Sequence, residues 1–135
     1  MTITYAWRGD FDNAEVNELH AEAFETRTFG ETEWNWSELV RRHSLGWVVA
    51  RGSGAALVGF VNVLWDGLVH AWLQDTMVAA PSRHLGIGSE LVAVATAEAR
   101  AAGCEWLHVD FDDHLRPFYL EACGFAPTNG GLIAL

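Results

Sequence analysis

Three apolar runs of strand length follow one another, Gly46–Arg51, Ala55–Leu64 and His70–Ala79, with Gly52-Ser53-Gly54 as the first link and Asp66-Gly67 within the five-residue second one. Links this short cannot hold a crossover, so the runs must fold back on each other as an antiparallel meander. Pro81 stops the third run. Beyond it, Ile87, Leu91, Val94 and Ala95 recur at helical spacing within Gly86–Ala102, and Gly103 stands just past the end. Glu105–Asp110 then reads as a strand. A strand–helix–strand passage from His70 to Asp110 sets its two strands parallel through a right-handed crossover. The sheet is therefore mixed and flanked by helices.

The flanks complete that frame. Thr2–Trp7 alternates as a strand does, with Ile3, Tyr5 and Trp7 on one face. Asp10 or Asp12 can cap a first helix that carries Val16, Leu19, Ala23 and Phe24, and Trp36–His43 reads as a second. Phe29–Glu33 has no periodicity and reads as loop. His114–Cys123 reads as a short helix stopped by Gly124, and Leu132–Leu135 as a last strand. We expect an α/β (α+β) fold in a single domain over residues 1–135, its sheet mostly antiparallel with six to seven strands and about four helices.

Charge narrows the function. All eight basic residues are arginine and the net charge is −10, a surface that repels phosphate backbones, so no nucleic-acid partner is expected. No apolar run approaches the ~20 residues that span a bilayer, and Met1–Tyr5 lacks a signal-peptide layout. Cys104 and Cys123 have no metal-ligand spacing and fit free thiols in a reducing compartment, so a cytoplasmic location and no metal are expected. Nine of the eighteen acids lie between Asp10 and Glu38, opposed only by Arg27. They are either solvated helix faces or an acidic rim that attracts a cationic amine.

The strongest chemical signal is Val78-Ala79-Ala80-Pro81-Ser82-Arg83-His84-Leu85-Gly86-Ile87-Gly88-Ser89. It leaves a strand, turns through two glycines and opens a helix whose free N–H groups converge on one spot, a setting suited to phosphate. Arg83 adds permanent positive charge. A P-loop is excluded because the chain has no lysine, and the dinucleotide fingerprint fails at Leu91.

Arg83-x-x-Gly86-x-Gly88 behind Met77-Val78 resembles the pyrophosphate motif of the GNAT N-acetyltransferase superfamily. Phe118-Tyr119-Leu120-Glu121-Ala122-Cys123-Gly124-Phe125 resembles that family's tyrosine-to-Gly-Phe segment. The resemblance covers the whole element order. It implies acetyl-CoA as co-substrate, held by the backbone at Thr76, Met77 and Val78 and at the pyrophosphate by Arg83, His84, Leu85, Gly86, Ile87, Gly88 and Ser89. It implies that Tyr119 is the general acid for the departing thiolate. Asp112, counting back from Tyr119, or Asp113, counting forward from the strand, stands where many relatives place a cofactor-contacting asparagine. Ala80 stands where a proline is common. A homodimer is also compatible with the family.

Acetyl transfer needs a neutral amine, hence a base or a water chain. His108, on the strand after the long helix, is the first candidate because histidine titrates near neutrality; Asp75, His70 and Asp66 are further ones, their facing subject to any bulge. Trp34, Trp36, Trp65 and Trp72 fall in segments that border the acceptor cleft in relatives, as core packing or as a wall for a cation. The expected function is direct acetyl transfer to a small primary amine or a peptide N-terminus. A non-catalytic acyl-CoA sensor or a protein-interaction domain is the alternative.

Overall fold

The computed structural model describes residues 2–135. The first helix begins where its end groups find partners. Asp12 is extended, and the Glu15 carboxylate accepts from Asp12 N at 2.8 Å, so α1 runs Asn13–Phe24. The Asn35 side chain accepts from Glu38 N at 3.0 Å and opens α2, Trp36–His43. Its last turn carries Arg41 and Arg42, which offset the negative end of the helix dipole.

Five strands form one sheet in sequence order: β1 (Thr4–Trp7), β2 (Ser44–Arg51), β3 (Leu57–Trp65), β4 (His70–Val78) and β5 (Trp106–Val109). The first four pair antiparallel, as the short links require. Helix α3 (Ile87–Ala101) carries the chain from β4 to β5, and these two pair parallel.

Apolar side chains on both faces of the sheet hold two layers of helix. On one face α3 buries Ile87, Leu91 and Ala95 against Val48, Val61, Val63, Ala71 and Leu73. On the other, α1 and α2 bury Val16, Leu19, Trp36 and Val40 against Val49, Phe60 and Met77. Burying each large side chain contributes about 1.5–3 kcal/mol.

Ala71 and Leu73 lie on the α3 face, yet Met77 lies on the opposite one. Plain alternation would put all three together. The register explains the switch: Met77 faces Phe60 and Gln74 faces Asn62, so Asp75 and Thr76 share the single partner position of Val61. This is a β-bulge, and Asp75 there has φ 56°.

Two expectations are corrected. Among the described residues the sheet has five strands instead of six to seven, because Leu132–Leu135 pairs with none of them; Leu132 and Ile133 are 91% and 83% exposed. The outer edges of β1 and β5 stay open in this sheet, and the run docks on neither. The helix expected over His114–Cys123 is a short 3-10 turn, Asp113–Leu115, followed by a π-helical turn, Pro117–Ala122. Pro117 has no N–H for a regular ladder, and Cys123 N instead reaches back to Phe118 O at 2.9 Å.

Arg51 at the end of β2 holds α1 to the sheet through Glu15 at 2.7 Å, with side chains only 24% and 28% exposed. That hydrogen-bonded guanidinium keeps the Glu15 carboxyl below its usual range. A depressed acid stabilises above its unfolded pKa and loses that contribution as pH falls through the folded one. Glu15→Gln should therefore cost about 1 kcal/mol at pH 7. Thermal unfolding of both proteins should show the difference shrinking as pH drops below about 4.

Candidate active site

The chain leaves β4 through Ala79, whose N–H still bonds to Val58 O at 2.9 Å, and tightens into a 3-10 turn over Ala80–Ser82. Glu22 on α1 accepts from Ala80 N and ties the turn to that helix. His84 and Gly86 then both take left-handed backbone, φ 67° and 78°. A Cβ on Gly86 would meet nothing within 4 Å, so conformation alone calls for glycine there. Gly88 serves a different purpose: a Cβ would stand 3.1 Å from the Phe118 ring, so the bare backbone lets α3 approach the segment that carries Tyr119.

The first bond of α3 joins Glu90 N to Gly86 O at 3.2 Å. The N–H groups of Ile87, Gly88 and Ser89 precede it and have no turn behind them to accept. Ile87 is buried in the core, while Arg83, His84 and Leu85 are exposed on the loop. Arg83 Nε donates back to Val78 O at 3.3 Å. The loop thus presents a guanidinium and a helix N-terminus together.

β5 pairs with β4 only over His70–Leu73. The stretch Gln74–Val78 keeps β3 on one side and, among the described residues, has no strand on the other. Because Ala79 N turns toward β3, alternation directs Val78 N–H into that gap. Near Thr76 lies Tyr119, buried and packed by Phe118 at 4.8 Å, Phe111 at 5.0 Å and Phe125 at 6.0 Å between ring centroids. Burial raises its pKa, and the neighbouring Thr76 side chain partly opposes the rise.

On the α2 face of the sheet lies an open cleft of about 680 Å³. Leu39, Arg42, His43 and Ser44 form one wall, the Trp65–Gly67 turn another, and Asn62, Leu64, Gln74 and Asp75 the floor. Burial pushes the Asp75 carboxyl up. The bulge thus brings a desolvated carboxyl to the cleft and Thr76 to Tyr119 in successive residues.

Residues 9–125 match the Acetyltransferase (GNAT) family. The chain belongs to the GNAT family. No curated protein matches its sequence. Among solved structures, an acetyltransferase of Trypanosoma brucei has a TM-score of 0.80 at 19% identity, with 99% of this chain and 100% of that one covered. A GNAT family protein of Streptococcus pneumoniae gives 0.77 at 21%, covering 99% and 98%. AAC(6')-Iy, in complex with a bisubstrate analogue built on CoA, gives 0.78 at 14%, covering 100% and 98%.

Within this GNAT domain the sequence-predicted groups fall into two sets. Thr76, Met77, Val78, Arg83–Ser89 and Tyr119 surround the gap and the loop beside it. His108 does not join the cleft lining. It stacks on Trp72 with centroids 4.9 Å apart, and its Nε2 lies 2.8 Å from His70 Nδ1. The two histidines sit side by side at the paired end of β4 and β5, outside the cleft. Asp112 is exposed at the start of its 3-10 turn, where its carbonyl accepts from Leu115 N at 2.8 Å. Asp66 is occupied by its own turn, accepting from Leu68 N and His70 N.

The acidic stretch from Asp10 to Glu38 contributes no lining residue to the cleft. Glu15, Glu33 and Glu38 instead bind Arg51, Arg27 and the Arg41–Arg42 pair. Of the tryptophans, Trp65 lines the cleft, whereas Trp36 is fully buried under α1. Sequence reasoning missed Asn62. The available signal was an amide between Val61 and Val63 in an otherwise apolar strand.

Proposed function

We propose that the protein transfers an acetyl group from acetyl-CoA directly to a primary amine seated in the α2-side cleft. The observation that carries this reading is the bulge at Asp75–Thr76, where an unpaired strand edge, a buried tyrosine and a desolvated carboxyl meet. The open edge of Gln74–Val78 suits main-chain pairing with the pantetheine arm. Arg83 and the N–H groups from His84 to Ser89 suit the pyrophosphate. The exposed carboxylate of Asp112 would be repelled by that polyanion and has no place in the cofactor contacts.

Asp75 is the base this geometry favours over His108, because it lines the cleft and His108 does not. Asp75, directly or through water, takes a proton from the ammonium, and the free amine attacks the thioester carbon. Val78 N–H faces the gap and can hold the developing oxyanion. Collapse breaks the C–S bond, Tyr119 protonates the leaving thiolate, and the second proton of the acylated nitrogen passes through solvent to restore the phenol. Holding both reactants across the gap supplies much of the rate.

Asp75→Asn tests the assignment in two ways. Turnover should fall roughly 100-fold, and the acidic limb of the wild-type rate profile should vanish with it. The raised carboxyl pKa also makes ionised Asp75 a stability cost. A carboxyl with a raised folded-state pKa contributes stability below its unfolded pKa and loses it as pH rises through the folded one. Asp75→Asn should therefore unfold at a higher temperature than wild type at pH 8, with the gain fading toward pH 4. Unchanged turnover with an intact acidic limb would return the role to His108 or to water.

A further inference from the structure

The floor of the cleft holds one polar atom that the chain itself leaves without a partner. Asn62 is 1% exposed, and its Nδ2 finds no acceptor among the described residues. Its Oδ1 is already committed to the Ser44 hydroxyl, which donates to it and fixes the amide. A buried donor left unpaired costs as much as an ordinary hydrogen bond contributes, so folds pair such groups unless a ligand does so. β3 could have carried an apolar residue here, as it does at Val61 and Val63.

The neighbours indicate what the ligand offers. Asn62 is the cross-strand partner of Gln74, the residue before Asp75 in the bulge. Adjacent strands lie roughly 5 Å apart, so the backbone of Asn62 is about one strand spacing from the residue that leads into Asp75, and both side chains line the same cleft. Asn62 Nδ2 calls for an oxygen acceptor, and Asp75 faces the nitrogen. Arg42 lines the same cleft and adds positive charge, although Glu38 holds its Nε at 2.6 Å.

We propose that the acceptor is an α-amino carbonyl compound, in which an oxygen bonded to Asn62 Nδ2 lies only a few bonds from the amine that Asp75 serves. The same unit occurs in a free amino acid and at a peptide N-terminus. It does not occur in plain alkylamines or polyamines. This inference rests on the acetyl-transfer reading above and narrows the substrate of that same cleft.

The test sets four groups of amines against the wild-type enzyme with acetyl-CoA: α-amino acids, their amides, dipeptides, and alkylamines matched in side chain but lacking the carbonyl. Release of CoA thiol is the signal. We expect kcat/KM for the carbonyl-bearing groups to exceed that of the matched alkylamines by roughly 10- to 100-fold, the effect of one buried donor paired or left orphaned. Preference for the free acids assigns the site to amino acids. Preference for amides and dipeptides assigns it to peptide N-termini. Asn62→Leu, an apolar residue of similar volume, should shrink the ratio to within about threefold, while acetyl-CoA titration reports whether its fold is intact. Alkylamines reacting as well as their carbonyl partners in the wild type, whether both are fast or both slow, would overturn the proposal. Failure of wild type to bind acetyl-CoA would instead overturn the acetyl-transfer reading beneath it.

Discussion

Gly86→Asp should weaken acetyl-CoA binding by roughly 100-fold or more, the largest effect expected of any single substitution in the loop. Two causes add. A side chain at φ 78° strains the turn that opens α3, and the carboxylate places negative charge at the N–H groups that would face the pyrophosphate. The two can be separated. Asparagine matches aspartate in size and tolerates left-handed backbone equally well, so the difference between Gly86→Asn and Gly86→Asp isolates charge. Most of the loss should appear only with Asp, and should diminish at high salt. A calorimetric titration in which Gly86→Asp binds as wild type does would remove the loop from the phosphate-binding role.

The second large effect belongs to Tyr119. Tyr119→Phe removes one hydroxyl from a ring that Phe111, Phe118 and Phe125 already hold in place, so the packing should survive. Turnover should fall roughly 100-fold with acetyl-CoA affinity changed less than about threefold, because only the proton for the leaving thiolate is lost. The direction of the pKa matters here. Burial raises Tyr119 above the ordinary tyrosine value, so the proton is retained throughout the neutral and mildly alkaline range. The wild-type rate should therefore show no alkaline decline attributable to Tyr119 below about pH 10. Full turnover by Tyr119→Phe would take the residue out of the mechanism.

Much of this arrangement was legible in the sequence because local rules decided it. The three- and five-residue links around Gly52-Ser53-Gly54 and Asp66-Gly67 are too short for crossovers, so the meander followed. The strand, two glycines and helix around Gly86 and Gly88 located the loop. The GNAT resemblance rested on that loop and on the Tyr119 segment. The family match over residues 9–125 agrees with it.

What escaped the sequence was set by long-range register. The bulge at Asp75–Thr76 reverses which face β4 presents, and its position depends on how β3 pairs with β4, which no local pattern encodes. That reversal brings Asp75 into the cleft. His108, chosen for its chemistry, faces Trp72 and His70 at the paired end of the strands, where it stacks instead of lining the cleft. Asn62 was overlooked for the same reason: alternation along one strand does not say that its amide lacks a partner. The strand expected at Leu132–Leu135 did not form although the outer edge of β5 is free, because a short apolar run does not by itself specify a pairing partner.

The central claim is that the gap beside Gln74–Val78 and the loop at Arg83–Ser89 hold acetyl-CoA. Isothermal titration of the wild-type protein with acetyl-CoA, and in parallel with free CoA, tests it most directly. The account expects both to bind at one site with dissociation constants of roughly 1–100 μM, since the pyrophosphate contacts are common to both. Absence of heat and of competition with either ligand would contradict the account.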